Sequence, residues 1–464
     1  MIYRNEKTNL LEEKRQVNFL HDVDEPNLIR DLYDYNSIPK ISFNNMLVPM
    51  DMPKELYITD TTFRDGQQST SPFTIDQIVK VFQYLHKLGG ENGIIRQSEF
   101  FLYSEKDRKA VEKCKELGYE FPEITSWIRA NKKDFELVKS MGIKETGILT
   151  SCSDYHIFNK MRLTRSQALD KYLGIVKDAL SCGIIPRCHF EDITRADFYN
   201  FVVPFAIELM KLAEEAKVNI KIRACDTMGY GVPFHGASMP RSVPGIIYGL
   251  RHNAGVPAKQ LEWHGHNDFY KVVSNATTAW LYGCASVNCS VLGIGERTGN
   301  CPLEAMIIEY ASLRGSTDGM DLKVITEMAQ YFEDEIGYII PPMTPFVGRD
   351  FNSTRAGIHA DGMLKDPEIY NIFNTEKILN RAPRIAITNT SGLAGIAYWL
   401  NEYYDVAEDH RIQKTDELCI KLKAIVDQEY DNGRTTSMSD EELDNFVRNI
   451  DRLRHKKLDA KVGK

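Results

Sequence analysis

From residue 56 onward the sequence repeats one pattern, in which a short apolar run is followed by a polar turn and then by a segment of helical periodicity. Glycine closes most of these segments, as it does at the ends of many helices. Short apolar runs between turn residues are typical of buried strands, whereas the longer periodic segments are typical of helices. The pattern therefore predicts eight strands, which are expected to begin near Leu56, Gly93, Phe121, Glu145, Ile185, Ile220, Gln260 and Ser286.

The helical segments also carry start signals. Thr74 with Gln77, and Thr164 with Gln167, have the spacing of a capping box, in which each side chain satisfies the free amide of the other residue. Strands that alternate with helices predict a parallel sheet. Eight such units within about 260 residues favour a closed (β/α)8 barrel, the TIM barrel, over an open doubly wound sheet. Periodicity does not report closure, so the open sheet stays an alternative, although no GxGxxG follows the first strand.

The strand–helix alternation occupies only the middle of the chain. Residues 1–50 are predicted to form a polar, irregular N-terminal extension, and residues 51–318 to form the barrel. Residues 319–464 carry few strand signals and are predicted to be an α-helical C-terminal region. Within that region, 319–337 and 410–456 have helical patterns.

The composition, with 43% hydrophobic and 26% charged residues, is that of an ordinary soluble globular protein. A net charge of −8 and a pI near 5.9 argue against nucleic acid or an anionic membrane as the main partner. No apolar run has the length of a membrane span and the first residues lack a signal-peptide core, so a cytoplasmic location is expected. Nine cysteines without a CxxC pair predict reduced thiols.

Polar residues that follow the predicted strands are the candidates for chemistry, because the βα loops of a TIM barrel surround one mouth. In strand order they are Arg64, Asp65 and Gln68; Glu99; Arg129; Thr150 and Ser151; His189 and Glu191; Asp226 and Thr227; His264 and His266; and Asn300.

The most informative of these residues are His264 and His266. Residues i and i+2 of a strand point to the same face, so both imidazoles are expected to face one point. Asp65 on a nearby strand adds a hard oxygen ligand. Two imidazoles, a carboxylate and open positions suit catalytic Zn²⁺, Mn²⁺, Fe²⁺ or Co²⁺ better than a closed structural site. The alternative is a pair of histidines satisfied by ordinary hydrogen bonds.

Arg64 stands beside the proposed ligand Asp65. A guanidinium near a carbonyl oxygen can stabilise the oxyanion that forms when a carbon nucleophile attacks, although an ordinary ion pair in a loop is the simpler interpretation. Glu191 and Asp226 are candidates for proton relay or for orienting the ligands, and the residues alone do not separate these two roles.

Three motifs, taken together, resemble a known family. RDGQQ at 64–68, HGHND at 264–268 and GERTGN at 295–300 are similar to motifs of the DRE-TIM metallolyases. Within them the chain resembles the Claisen-condensing synthases of 2-isopropylmalate, homocitrate, citramalate and Re-citrate. The resemblance runs from about residue 56 to residue 399 and includes AGIHADG at 356–362, which is similar to a segment beyond the barrel of these synthases.

The resemblance implies a mechanism. A 2-oxo acid would chelate a divalent metal held by Asp65, His264 and His266, with Asn300 near or on the metal. Arg64 and the metal would polarise the ketone. The enolate of acetyl-CoA would then attack the carbonyl carbon, and water would cleave the thioester.

The resemblance also implies roles for residues outside the ligand set. Glu191, within HFEDITR, and His359, within AGIHADG, are both candidates for the enolising base. Thr227 corresponds to a threonine that contacts the substrate carboxylate. The histidine that corresponds to His359 often reaches into the partner subunit in such synthases. The resemblance therefore implies that residues 319–464 contribute to the active site and to a dimer, and a homodimer or a dimer-based oligomer is expected.

Departures from the family pattern bear on the acceptor. Gln67 replaces a glutamate of RDGEQ, and Asp65 stands where many homocitrate synthases have glutamate. In IRQSEFFLY, Arg96 adds a cation, which favours a dicarboxylic acceptor. Gln68, Glu99 and Arg129 join it as expected substrate-binding residues.

Three segments bear most directly on the activity, and they are IRQSEFFLY, GNCPLEAM and TNTSGLAGIAYWLN. They look closest to the Re-citrate synthases, which implies oxaloacetate and acetyl-CoA as substrates. Mn²⁺ is the favoured metal, with Co²⁺, Mg²⁺ and Zn²⁺ as alternatives. The same chemistry on 2-oxoglutarate, 2-oxoisovalerate or pyruvate is the nearest alternative. Retro-aldol cleavage of the HMG-CoA lyase type, biotin-dependent carboxyl transfer and a non-catalytic metal-binding barrel are more distant alternatives.

Overall fold

Eight short strands alternate with helices through the first two thirds of the chain. The structure is a computed structural model that describes residues 2–4, 11–13, 18–33, 35–44, 47–129, 131–354 and 357–462. The eight strands, β1 to β8, are Tyr57–Asp60, Ile95–Phe100, Glu123–Ile128, Glu145–Ser151, Ile185–Glu191, Lys221–Asp226, Leu261–Gly265 and Ser286–Cys289. Each strand pairs in parallel with the next, and β8 pairs with β1, so the sheet closes. The predicted TIM barrel is confirmed, and every strand begins within two residues of its predicted start.

Helices α1 to α8 follow the strands in turn. They are Ile75–Gly89, Glu105–Glu116, Asp134–Ser140, Arg165–Ser181, Val203–Ala216, Val243–Tyr248, Val272–Leu281 and Leu303–Arg314. Both predicted capping boxes are present. At the start of α1, Thr74 Oγ1 accepts from the Gln77 amide at 3.2 Å, and Gln77 Oε1 accepts from the Thr74 amide at 2.8 Å. Thr164 and Gln167 make the same two bonds at the start of α4.

The inside of the barrel is ionic, although branched apolar side chains fill most TIM barrels. Arg187 on β5 pairs with Glu99 on β2 and with Glu145 on β4, the latter at 3.0 Å. Arg223 on β6 pairs with Glu99 at 3.0 Å and with Glu262 on β7. All five side chains are at most 4% exposed. Charges this deeply buried are tolerated only when they are paired and hydrogen-bonded, so the network ties five strands together.

The described part of the N-terminal extension packs on the loops that follow β4 and β5. The amide of Asn27 donates to Asp154 Oδ2 at 2.8 Å, and the hydroxyl of Tyr33 donates to the carbonyl oxygen of Thr194. Two short strands, Ile2–Arg4 and Leu11–Glu13, pair in an antiparallel manner, so the extension is less irregular than expected.

The chain divides into two compact units, Met1–Asp321 and Leu322–Lys464. The second unit is mainly helical, as predicted, around a core that includes Ile396, Leu422 and Val447. Among the described residues, no helix is long and apolar enough to cross a membrane. Helices α9 to α15 of the second unit are Val324–Asp334, Gly357–Lys365, Thr375–Leu379, Leu393–Tyr403, Glu417–Asp431, Asp440–Ile450 and Arg452–Val462.

Candidate active site

A cavity of about 200 Å³ opens where the carboxyl ends of the barrel strands converge. This is the face on which TIM-barrel enzymes carry their active sites. We call it the reaction cavity. It is lined by Arg64, Asp65, Gln68, Trp127, Leu149, His189, Glu191, Arg223, Cys225, Thr227, His264, His266, Glu296 and Arg297.

Arg64 and Asp65 enter the cavity from a π-helical turn, Thr62–Gly66, directly after β1. Such turns are rare and are frequently found at functional sites. The guanidinium of Arg64 donates to Asp65 Oδ1 and lies 4.9 Å from the ring centre of Trp127. Burial raises the pKa of Asp65, but Arg64 and the other positive groups nearby together outweigh burial and hold the pKa at about 2. Asp65 is therefore an ionised oxygen donor at neutral pH.

His264 and His266, at the end of β7, face the same cavity, as the i and i+2 spacing predicts. His264 Nδ1 lies 2.8 Å from Asn288 Oδ1, an acceptor, so Nδ1 carries the proton and Nε2 keeps its lone pair. That Nε2 is 3.8 Å from Asp65 Oδ2. Burial lowers the pKa of both histidines, that of His266 to about 3. Both rings are therefore neutral and able to act as ligands.

Asn300 lies beside His266, because the backbones of the two residues form a short antiparallel bridge. Both polar atoms of the Asn300 side chain are buried without a hydrogen-bond partner, and so is Nδ1 of His266. A Cβ on Gly295 would stand 2.7 Å from the Asn300 side chain, so only glycine allows this approach. Leaving buried polar atoms without partners costs free energy. A bound cation is one way to satisfy the amide oxygen of Asn300 and the imidazole Nδ1 of His266.

These donors fit a divalent cation in their chemistry. An ionised carboxylate, two neutral imidazoles and an amide oxygen form a set that Mn²⁺, Zn²⁺, Fe²⁺ and Co²⁺ accept. Within the described ranges, no three His, Cys, Asp or Glu side chains are already gathered around one point. Arg64 holds Asp65 Oδ1, and the other oxygen of Asp65 stays 3.8 Å from His264 Nε2, so the candidate ligands are not drawn tightly together.

Glu191, at the end of β5, lines the cavity within a small polar cluster. Its carboxylate accepts from the hydroxyl of Ser151 and lies 3.3 Å from His156 Nδ1. The next residue, Asp192, donates its amide to the hydroxyl oxygen of Thr227 at 2.8 Å, which places Thr227 against the same wall. His156, which the sequence interpretation did not select, is therefore a neighbour of the candidate base.

Arg96 does not line the reaction cavity. It is the second residue of β2, near the amino end of that strand, and its guanidinium pairs with Glu55 at 2.9 Å. The same group lies over the rings of Tyr57 and Phe121, at 4.9 and 5.2 Å. The expectation that Arg96 adds a cation to the acceptor pocket is wrong, because strand residues near the amino end cannot reach the mouth.

Two other expected substrate contacts are also outside the lining. Arg129, directly after β3, is 67% exposed, lies over the ring of Tyr103 and approaches Asp134 at 3.9 Å. Its role as a substrate contact stays a prediction. Glu99 is buried under the cavity, where its carboxylate holds Arg187 and Arg223. Gln68 and Thr227 do line the cavity.

Arg223, Arg297 and Trp127 line the cavity although the sequence interpretation assigned them no role. Arg297 lies within the GERTGN motif and pairs with Asp268 at 2.9 Å, so the motif itself was the signal for it. Arg223 is a mid-strand residue, and nothing local in the sequence separates it from an exposed strand arginine.

His359 lies on α10 in the second unit, and its ring centre is 4.6 Å from that of Tyr370. Its role as a base stays a prediction.

Comparisons with known proteins give one family. The HMGL-like family matches residues 55–331. A citrate (Re)-synthase of Clostridium kluyveri is 60% identical over 93% of this chain and 95% of its own length. A citrate (Re)-synthase of Syntrophus aciditrophicus is 55% identical over 96% of this chain and 72% of its own length. A 2-phosphinomethylmalate synthase of Streptomyces hygroscopicus is 36% identical over 91% of this chain and 96% of its own length. The chain therefore belongs to the HMGL-like family of DRE-TIM barrels, which confirms the resemblance seen in its motifs.

Proposed function

We propose that this chain is an acyl-transferring synthase that condenses acetyl-CoA with oxaloacetate and hydrolyses the thioester, giving citrate and CoA. The observation that carries the proposal is the high identity to two citrate (Re)-synthases over nearly the whole chain. The reaction cavity supports it with groups suited to each step of a Claisen condensation.

Asp65, His264 and His266, with the side chain of Asn300, would hold a divalent cation. When bound there, such an ion supplies Lewis acidity toward the carbonyl group of the 2-oxo acid. The chain prepares these donors by keeping Asp65 ionised and both imidazoles neutral. We favour Mn²⁺, with Co²⁺, Mg²⁺ and Zn²⁺ as alternatives.

Arg64 provides positive charge where the ketone oxygen gains electrons. Its guanidinium is held between Asp65 and the face of Trp127, so it needs little reorganisation during the reaction. This fixed orientation lowers the energy of the transition state more than that of the bound ketone.

Glu191 is the candidate base on the barrel for the methyl group of acetyl-CoA. The Ser151 hydroxyl donates to its carboxylate and holds it at the cavity wall, and His156 Nδ1 lies 3.3 Å from the same carboxylate. A proton accepted there leaves the enolate carbon free to attack the carbonyl carbon. His359 of the second unit is the alternative base, acting alone or through water.

The cations that line the cavity favour a dicarboxylic acceptor. Arg64, Arg223 and Arg297 all line it, so guanidinium donors are present beside the carboxylates of the lining although Arg96 is absent from it. Charge-assisted bonds from such groups to a second carboxylate would select oxaloacetate over the branched 2-oxoisovalerate. Thr227 is proposed to contact the carboxylate next to the ketone.

The proposed reaction predicts a distinct acceptor profile. Purified, reduced protein with Mn²⁺ and acetyl-CoA should release CoA rapidly with oxaloacetate, and much more slowly with 2-oxoglutarate, 2-oxoisovalerate or pyruvate. Free thiol is followed continuously, and citrate is identified by mass spectrometry. Labelled acetyl-CoA then shows which face of the ketone is attacked.

Two outcomes would contradict the proposal. Release of CoA only with another 2-oxo acid would assign the same chemistry to a different acceptor. Cleavage of HMG-CoA without any condensation would place the chain among the lyases. The cytoplasmic location and the homodimer stay predictions, for which fractionation of cells and light scattering are the measurements.

Asn288 on β8 gives a further prediction, because its amide oxygen fixes the tautomer of His264. Asn288→Ala should weaken the affinity for Mn²⁺ by about ten- to a hundredfold, since partners of ligating histidines typically have effects of this size. Equilibrium dialysis measures the affinity. Asn253→Ala, at the end of the π-helical segment Gly249–Asn253, is the matched control. Equal affinities for the two variants would show that Asn288 does not orient the ligand.

A further inference from the structure

A second cavity, of about 400 Å³, lies beside the loops that follow three consecutive strands. Tyr155 follows β4, Arg195 follows β5 and Tyr230 follows β6, so all three belong to the catalytic end of the barrel. The N-terminal extension supplies the remaining side of this cavity. We call it the extension cavity, and it is lined by Arg30, Tyr33, Tyr35, Ser37, Pro39, Tyr155, Arg195 and Tyr230.

The lining of the extension cavity has a clear chemical character, with two guanidinium groups, four tyrosines and no carboxylate. The Arg195 guanidinium lies 4.2 Å from the ring centre of Tyr155, and that of Arg30 lies 5.9 Å from it. Within the described ranges, no carboxylate comes within ion-pair distance of Arg30. Its Nη1 donates a long hydrogen bond, of 3.4 Å, to the carbonyl oxygen of Tyr33. Such a surface suits an anion that also carries a planar ring.

Arg195 is held so that one amino group is left for a ligand. Its Nε and Nη2 atoms donate to the buried carboxylate of Asp192 at 2.9 and 2.8 Å. The remaining group, Nη1, has no recorded partner among the described residues. Because the chain fixes the orientation of the guanidinium, a phosphate oxygen could bind Nη1 at little entropic cost.

The extension cavity and the reaction cavity share a wall. Asp192, which holds Arg195, donates its amide to Thr227, and Thr227 lines the reaction cavity. Tyr230 lies on the same loop as Asp226, whose carboxylate accepts the Tyr230 amide at 2.9 Å. The two cavities therefore lie side by side at the catalytic end of the barrel, and a ligand with an anionic, aromatic end and a reactive end would reach both by passing over this wall.

We propose that the extension cavity binds the phosphoadenosine end of acetyl-CoA, with phosphates at Arg30 and Arg195 and the adenine against the tyrosine rings. The inference rests on the proposed function, because acetyl-CoA is the co-substrate named there. It assigns the N-terminal extension to the substrate site.

The test compares acetyl-CoA with acetyl-pantetheine, which has the same thioester but no nucleotide. Arg30→Ala should raise KM for acetyl-CoA by about ten- to a hundredfold, the usual effect of removing a charged hydrogen bond. KM for acetyl-pantetheine and KM for oxaloacetate should stay unchanged. Arg30→Lys keeps the charge and should restore most of the affinity. Lys109→Ala, on the outer face of α2, is the matched surface control.

Direct binding separates this proposal from the proposed function. Calorimetry measures the affinities for CoA and for adenosine 3′,5′-bisphosphate. Arg30→Ala should weaken both affinities by the factor by which it raises KM for acetyl-CoA, whether or not the protein turns over. An equal rise in KM for both thioesters would reveal a purely structural role and overturn the inference. The inference would also be overturned if the protein bound the nucleotide but Arg30→Ala left KM for acetyl-CoA unchanged. The cavity would then be a site for free nucleotide.

Discussion

Replacing His264 by alanine is expected to lower kcat/KM for oxaloacetate by at least about a thousandfold. The proposed ligand set loses one of its two imidazoles, and Lewis-acid stabilisation of the transition state is worth several kcal/mol. The geometry supports this size of effect, because His264 Nε2 is directed at Asp65 while its other nitrogen is held by Asn288. Steady-state kinetics with added Mn²⁺ give the ratio.

His86→Ala is the matched control for this variant. His86 lies near the carboxyl end of α1, and its ring stacks on Tyr119 at 3.7 Å. The control should keep wild-type kcat/KM and wild-type bound metal, measured by elemental mass spectrometry after dialysis. Full activity of His264→Ala, or undiminished metal in it, would refute the ligand assignment.

The barrel was predictable because its signals are local. Each strand is a short apolar run between turn residues, and each helix carries its own start and stop residues, as the Thr74–Gln77 box shows. That Asp65, His264 and His266 all line the reaction cavity was predictable for a similar reason. Strand periodicity sets which face a side chain takes, and the fold sets which end of the strand carries function.

The acceptor pocket was less predictable because its charges depend on partners far away in sequence. Arg96 and Arg223 are both strand arginines, and only the closed barrel shows that one pairs with Glu55 outside while the other pairs with Glu99 and Glu262 inside. The position of Arg96 near the start of its strand was the one local sign that it lies away from the mouth of the barrel. The extension cavity could not be predicted from the sequence for the same reason, since it brings Arg30 next to loops that are more than a hundred residues away along the chain.

Glu145→Ala is expected to lower the free energy of unfolding of the barrel by about 3–5 kcal/mol, the usual effect of breaking a buried ion pair. Glu145 is 4% exposed and holds Arg187 at 3.0 Å and Lys221 at 2.8 Å. Burial alone would raise its pKa, but these two cations outweigh burial and lower it, so the carboxylate is ionised at neutral pH. Alanine in its place leaves the buried Arg187 and the half-buried Lys221 with fewer partners, and the desolvation of Arg187 is no longer compensated.

Glu105→Ala is the matched control, because it removes the same side chain from an ion pair on the surface. Glu105 is 73% exposed and pairs with Lys109 on α2, and exposed pairs of this kind contribute little to stability. Urea unfolding at pH 7 is followed by tryptophan fluorescence, to which Trp127, Trp263 and Trp280 of the barrel contribute. Equal losses of stability in the two variants would show that the buried network does not hold the strands together. In that case the rigidity of Arg64 and His264 must come from the apolar packing around the barrel.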